Sequence, residues 1–208
     1  MSSLIVHIVA SRQEIVEAIK EFKSKSGKWV YSYANNYLTG DYYIATVSDS
    51  IFLNPVGMVE FSGLSATTLF YKNLMDKVGI EAQIIKVGTY KSAVEPFILT
   101  KMSEASREQQ KHYMNNIWGS IKSEIAESRK TTAENVDMWA DSVILADDPK
   151  TYKERKIVDN LYYQREVENI LKQKLQLDNS EKLILKYHKV NLIQARYNRK
   201  LLHKLIPE

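Results

Sequence analysis

Hydrophobic residues in the first hundred positions fall into two kinds of segment. Short runs rich in β-branched and aromatic residues predict strands at residues 4–9, 29–33, 51–53, 58–61 and 82–87. Apolar residues three or four apart predict helices at residues 11–26, 42–47 and 67–78. The first helix is expected to begin at a capping box, Ser11 to Glu14, and to end at Gly27. This alternation predicts an α/β core with a mostly parallel sheet and crossover helices.

The pattern becomes helical after residue 101. A long helix is predicted over residues 103–129, where Tyr113, Ile117 and Ile121 recur every four residues. Further helices are expected after a second capping box at residues 131–134, after Asp148-Pro149, and around residues 167–175. We therefore predict an α/β core in residues 1–100, a helical extension of the same domain in 101–178, and a tail in 179–208.

The composition excludes several classes of protein and of catalytic site. The 208 residues include no cysteine, which excludes a disulfide scaffold, a thiol nucleophile, a zinc finger and a cysteine-ligated iron–sulfur cluster. The hydrophobic fraction of 44% is ordinary for a globular protein. The longest early apolar run, residues 4–10, is shorter than the roughly 20 residues that cross a membrane, and it lacks the features of a signal peptide. The chain itself is expected to be soluble.

The net charge of +4 belongs to the tail. Residues 181–208 carry a net charge of +5, and the first 180 residues carry −1. A protein that binds nucleic acid over its surface would carry basic residues through the body, so no nucleic-acid partner is expected. As a helix the tail would be basic and amphipathic and could contact an anionic membrane. We favour a linker or an interface with another domain.

Common catalytic and nucleotide-binding motifs are absent, and the four histidines are scattered. His7 lies in an apolar run and is interpreted as a core or edge residue. No metal or cofactor is expected. Lys91 stands among small and apolar residues in the segment VGTYKSAVEPF, residues 87–97. Burial lowers the pKa of a lysine, and a neutral amine can take a proton from a hydroxyl nucleophile. A solvated loop lysine is the alternative.

That segment, followed by Met102-Ser103 and Arg107-Glu108, resembles the lysine-bearing segment of the signal peptide peptidase A family. These bacterial serine peptidases, also called protease IV, use a Ser/Lys dyad. Residues 39–66 and 69–97 are also similar to the family, and the likeness extends over about residues 4–175. The resemblance implies a ClpP/crotonase-like spiral of ββα units with additional C-terminal helices. It also implies that Lys91 is the general base.

In the long form of the family two similar halves follow each other along the chain. The N-terminal half carries the lysine, and the C-terminal half carries the serine in a stretch like ASGGYY. This sequence resembles the N-terminal half only, so we expect a partial chain that is inactive alone. The resemblance further implies signal peptides and other hydrophobic peptides as substrates, the serine-bearing half and a homo-oligomer as partners, and a full-length protein anchored in the inner membrane of the bacterial cell envelope.

Three other residues are candidates for the site. Thr39 lies 52 residues before Lys91, at the position that corresponds to the serine of the other half. It is a candidate vestigial or alternative nucleophile, and a helix cap is the alternative that we favour. Ser92 and Glu95 could position the lysine ammonium, or each could cap the following turn. Two other functions stay open: a self-contained Thr39/Lys91 hydrolase, and a non-catalytic scaffold of the same fold.

Overall fold

The computed structural model describes residues 2–83, 92–142 and 144–177. The helices are α1 Ser2–Ser26, α2 Thr39–Ala45, α3 Lys72–Lys77, α4 Glu95–Ile98, α5 Glu104–Arg129, α6 Ala133–Asp141, α7 Pro149–Glu154 and α8 Gln164–Lys174. The strands are β1 Tyr31–Ala34, β2 Tyr37–Leu38, β3 Ser50–Leu53, β4 Val59–Glu60 and β5 Asn160–Leu161. The chain is thus a mixed α/β protein, as its hydrophobic pattern predicts.

These strands form two small sheets, and every pairing is parallel. The first sheet has the order β1-β3-β5, with Tyr31 opposite Ser50 and Phe52 opposite Asn160. The second pairs β2 with β4, with Tyr37 opposite Val59. Parallel neighbours need a crossover between them, and α2 lies in the connection from β1 to β3. The prediction of a mostly parallel sheet is confirmed for the described strands.

The core lies where α1, α2, α5 and α6 meet the first sheet. Its largest fully buried side chains come from all of these elements and from the segments after α6: Val16, Tyr42, Ile51, Leu53, Ile125, Val136, Ile144, Tyr152 and Ile157. Each buried aliphatic side chain contributes about 1.5–3 kcal/mol relative to an exposed one. The two tyrosines in this set also satisfy their hydroxyls, since Tyr42 donates to Ile157 O at 2.8 Å and Tyr152 donates to Ile144 O at 2.7 Å.

An ion pair fixes the end of α5 to the first sheet. The guanidinium of Arg129 donates to both carboxylate oxygens of Asp159, at 2.9 and 3.2 Å, and to Lys156 O at 2.8 Å. Asp159 also accepts a hydrogen bond from Ile51 N in β3 at 2.7 Å. Bidentate pairs of this kind are among the stronger hydrogen bonds in proteins. The helical extension is therefore joined to the α/β core by directional bonds as well as by apolar packing.

The predicted strand at residues 4–9 is wrong, because α1 runs without a break from Ser2 to Ser26. No glycine or proline separates the apolar run from the helix that follows it, and a short apolar run has no period that distinguishes strand from helix. Ser11 consequently lies inside α1 and does not cap it. The predicted C-terminal end is confirmed, since Gly27 follows the helix with φ of 63°.

The predicted helix at residues 67–78 is also wrong in its first half, because α3 begins only at Lys72. No side chain caps its N-terminus, and none of its residues is buried, so neither capping nor packing extends it. Gly79 ends it as predicted, with φ of 70°. Residues 82 and 83 are not in a strand, and the rest of the predicted strand 82–87 lies outside the described residues.

The later helices begin at side-chain caps, and the caps of α6 and α7 lie at or within one residue of their predicted positions. Ser103 caps α5 by accepting from Ser106 N, and Asp148 caps α7 with Pro149 in the first turn. The cap of α6 is Thr132, which accepts from Asn135 N, so the predicted box is displaced by one residue. These caps depend on hydrogen bonds between residues two or three apart, which the sequence displays directly.

The chain divides at Val167 and Glu168 into two compact units. The first contains both sheets and the helices from α1 to α7. The second begins within α8, and the predicted basic tail in it lies outside the described residues. No helix in the described ranges is both long enough and apolar enough to span a membrane.

Candidate active site

The segment after the predicted base starts with a short turn and a short helix. Lys91 itself lies outside the described residues. Ser92 begins a 3₁₀ turn, Ser92–Val94, and α4 follows from Glu95 to Ile98 with Pro96 in its first turn. Proline is well tolerated there because the first turn of a helix has no use for its missing N–H. The backbone after the candidate lysine thus forms a regular, hydrogen-bonded turn and helix.

Glu95, the first residue of α4, is a buried carboxylate, with 8% of the residue exposed. Its Oε1 accepts from Ser103 Oγ at 2.6 Å, and its Oε2 accepts from Ser103 N at 3.1 Å. A buried charge needs such partners to offset its lost hydration. The pair fastens α4 to the N-terminus of α5. A role for Glu95 or Ser92 in positioning Lys91 stays a prediction.

Thr39 is the first residue of α2, and its hydroxyl lies against the end of β4. Thr39 Oγ1 accepts from Ser62 N at 3.0 Å and lies 3.2 Å from Glu60 O, to which it donates. Ser62 Oγ is also 3.4 Å away. The helix cap is Leu38, with no side-chain cap bond. The prediction that Thr39 caps the helix is therefore wrong. Because β2 pairs with β4, the backbone groups of residues 60–62 lie beside the Thr39 hydroxyl and form its hydrogen bonds.

The hydroxyl of Thr39 is held by backbone groups on its donor and its acceptor side. Across the described ranges, no lysine or histidine side chain forms a hydrogen bond with Thr39. An activated hydroxyl nucleophile needs a base within hydrogen-bond reach. The described contacts give Thr39 a structural role, and its role as a nucleophile stays a prediction.

Two residues beside Thr39, Gly40 and Ser62, were not predicted from the sequence to belong to the candidate site. A Cβ on Gly40 would overlap the guanidinium of Arg12, so this glycine lets Arg12 of α1 pack against the start of α2. Ser62, which bonds Thr39, is the second. Both contacts join residues more than twenty positions apart, and no local pattern signals them. Ser103 could have been predicted as a helix cap, because a serine directly before an acidic, helical segment is typical of an N-cap.

The described ranges also contain an open cavity away from these residues. It has a volume of about 700 Å³ and lies between the end of α5, the start of α6 and the end of α7. Neither Thr39 nor Glu95 lines it. Among the side chains that the structure describes, no cluster of three or more His, Asp or Glu could hold a metal ion.

The chain is similar to known peptidases over most of its length. The model of peptidase family S49 matches residues 22–178. Protease 4 of Salmonella typhi is 34% identical over 167 residues, which are 77% of this chain and 27% of that protein. Protease 4 of Haemophilus influenzae is 38% identical over 119 residues, 57% of this chain and 19% of that protein.

A plant relative matches a similar stretch. The protein named "Serine protease SPPA, chloroplastic" of Arabidopsis thaliana is 26% identical over 171 residues, 82% of this chain and 25% of that protein. The chain therefore spans about a quarter of the length of the curated relatives that it matches. These matches confirm the family resemblance that the segment around Lys91 predicts. Because the family model covers well over half of its residues, the chain belongs to peptidase family S49.

Proposed function

We propose that this chain provides the general-base lysine, Lys91, of a serine endopeptidase that works with a Ser/Lys dyad. The observation that carries the proposal is the family match over residues 22–178, which includes the whole segment VGTYKSAVEPF. The substrates are signal peptides and other hydrophobic peptides. The nucleophilic serine belongs to a second, C-terminal half, and this chain alone is inactive.

The dyad chemistry needs a neutral amine beside a hydroxyl. Lys91 takes the proton of the serine as its oxygen attacks the peptide carbonyl, and the resulting ammonium then protonates the leaving amine. Water hydrolyses the acyl-enzyme in a second step with the same lysine as base. A lysine is suited to this role only where burial lowers its pKa towards the working pH. The mechanism uses no metal or cofactor.

The contacts of Glu95 and Thr39 support this division of roles. Glu95 and Ser103 hold α4, which follows Lys91 closely in the sequence, against the start of α5. Such support matters because a misplacement of about 1 Å can cost a catalytic group about 10²-fold in rate. The Thr39 hydroxyl is occupied by backbone groups, which favours a serine from elsewhere as the nucleophile. We further propose that the parallel sheets belong to a ClpP/crotonase-like spiral. The full-length protein would be membrane-associated in a bacterial cell envelope.

An assay of the isolated chain tests whether the lysine half is active alone. The 208-residue chain is incubated with a fluorogenic ester of a hydrophobic peptide, alongside Lys91→Ala and Thr39→Ala variants. We expect no turnover above buffer for any of them, because the nucleophile is absent. Lys101→Ala and Thr67→Ala are matched controls at exposed positions. Turnover that disappears in both Lys91→Ala and Thr39→Ala, but persists in the controls, would instead establish a self-contained Thr/Lys hydrolase.

A further inference from the structure

The open cavity between the ends of α5 and α7 and the start of α6 has a basic lining. Its volume of about 700 Å³ falls within the range of small-molecule sites. The lining that the structure describes contains one acidic residue, Glu154, and four basic residues: Arg129, Lys130, Arg155 and Lys156. The first 180 residues together carry a net charge of −1, so this concentration of cations is not a sample of a basic surface. The cavity therefore favours an anionic ligand.

Both arginines of the lining are already paired. The guanidinium of Arg129 binds Asp159, and Arg155 Nη1 lies 3.0 Å from the carboxylate of Asp147. The two lysines are exposed, and within the part of the chain that the structure describes neither ammonium forms an ion pair. Lys130 and Lys156 thus supply the positive charge that a ligand in the cavity would meet.

Both lysines occupy the same position at the end of a helix. Lys130 follows α5 with φ of 51°, and Lys156 follows the last turn of α7 with φ of 58°. In each case the next N–H donates to the carbonyl five residues before it, at 2.9 Å after α5 and 2.8 Å after α7, which is the Schellman arrangement. Glycine usually takes this position, as Gly27 does after α1 and Gly79 after α3. A lysine there costs free energy that a glycine would avoid, which indicates a use for its side chain.

Arg129 fixes the two lysine-bearing turns to each other. Its Nε and Nη2 donate to Lys156 O at 3.2 and 2.8 Å, and Lys130 is the next residue along the chain. The side chain of Arg129 is 8% exposed, so this link is shielded from water. The backbones that carry the two lysines are consequently in place before a ligand arrives. Such preorganisation lowers the entropy that binding would otherwise cost.

We propose that this cavity binds a small phosphomonoester, with its phosphate group between Lys130 and Lys156. A lysine ammonium is a compact point charge that suits phosphate oxygens, whereas a carboxylate is matched best by a planar guanidinium. Both guanidiniums of the lining are occupied, so phosphate is the better fit. The proposal does not depend on the peptidase activity of the chain.

The rest of the lining suits the body of such a ligand. The hydroxyls of Thr131 and Ser142 lie in the lining and can donate to further oxygens of the anion. Met138 and Trp139 add apolar surface. The cavity is much larger than a phosphate ion needs, so the ligand we expect combines a phosphate with an apolar or aromatic group.

Isothermal titration calorimetry of the 208-residue chain with phenyl phosphate at low salt tests this inference. We expect a Kd of about 1 mM or tighter, weakened about tenfold by Lys130→Gly and by Lys156→Gly through the loss of a charged hydrogen bond. Glycine is favoured at a positive φ, so neither change should lower the temperature of thermal unfolding. Lys153→Ala is the matched control, because Lys153 is exposed in α7 and does not line the cavity.

Benzoate tests the choice of phosphate, since it has the same ring with a carboxylate. We expect benzoate to bind at least tenfold more weakly than phenyl phosphate, because it offers less charge to the two ammoniums. A wild-type chain that does not bind phenyl phosphate at 10 mM overturns the inference and leaves the lysines a role at the helix ends alone. Equal losses of affinity in Lys156→Gly and Lys153→Ala also overturn it, as does benzoate that binds as tightly as phenyl phosphate.

Discussion

At the scale of single residues, Ser103 connects the candidate site to the rest of the fold. Its hydroxyl donates to Glu95 Oε1 and accepts from Ser106 N, while its backbone N donates to Glu95 Oε2. One side chain thus caps α5 and binds the carboxylate that lies four residues after Lys91. The short helix α4 is coupled in this way to α5, the longest helix among the described residues.

Ser103→Ala is therefore expected to destabilise the protein by about 2 kcal/mol. Loss of an N-cap costs about 1 kcal/mol, and loss of a hydrogen bond to a buried carboxylate adds a similar amount. Urea unfolding measures the difference. Ser120→Ala in the same helix is the control, since the exposed Ser120 hydroxyl donates to Asn116 O of its own helix and alanine favours a helix. Equal effects of the two changes would show that the Glu95–Ser103 pair contributes nothing.

At the scale of elements, Asp137 joins α5 to α6. Its carboxylate accepts from Trp118 Nε1 at 2.8 Å and from Lys122 Nζ at 2.5 Å. Partial burial raises the pKa of Asp137, but the hydrogen bonds from Lys122 and Trp118 outweigh this effect, and the pKa is lowered from its usual 3.8. The carboxylate is thus bound more strongly in its charged form, so the α5–α6 joint depends on ionisation.

The lowered pKa predicts a pH dependence of stability. Near pH 4 the unfolded chain binds more protons at Asp137 than the folded chain, so stability rises with pH in that range. The stabilisation by the Asp137 carboxylate is fully present above the pKa of about 3.9 that an aspartate has in the unfolded chain. It is lost as the pH falls through the lower pKa of Asp137 in the folded chain. Asp137→Asn should therefore cost up to about 1 kcal/mol at pH 6, in keeping with a partly exposed pair, and less at pH 3.

Urea unfolding of wild-type and Asp137→Asn proteins at the two pH values measures this difference. Asp141→Asn, at an exposed position in α6, is the control and should show no such change. A cost of Asp137→Asn that is the same at pH 3 and pH 6 would contradict the assignment of a charged carboxylate to this joint.

The elements also show which parts of the fold a sequence can predict. The starts of α5 and α7 were predictable, because Ser103 and Asp148 form hydrogen bonds with residues two or three positions away. The state of residues 4–9 was not, because a short apolar run has no period that distinguishes strand from helix, and the start of α3 was not, because neither a cap nor packing extends this helix over residues 67–71. Thr39 was a candidate from its residue type and position alone. Its hydrogen bond with Ser62 was not predictable, because this bond follows from the pairing of strands.

At the scale of the whole molecule, alternation of strands and helices was sufficient to predict the α/β class and parallel pairing, and the segment around Lys91 was sufficient to predict the family. The order β1-β3-β5 was not predictable, because pairing of β3 with β5 joins residues more than a hundred positions apart. The central prediction about the site is that Lys91 is a general base. Lys91 lies outside the described residues, so this prediction depends on the family match.

The most direct measurement of that claim uses a chimera. Residues of this chain replace the aligned 167-residue segment of the Salmonella typhi relative, and hydrolysis of a hydrophobic peptide ester is followed. We expect an active chimera whose kcat falls by about 10²- to 10⁴-fold on Lys91→Ala, the usual contribution of a general base, and is unchanged on Lys101→Ala. An active chimera that keeps its rate after Lys91→Ala, or a folded chimera without activity, would contradict the account and favour a non-catalytic scaffold.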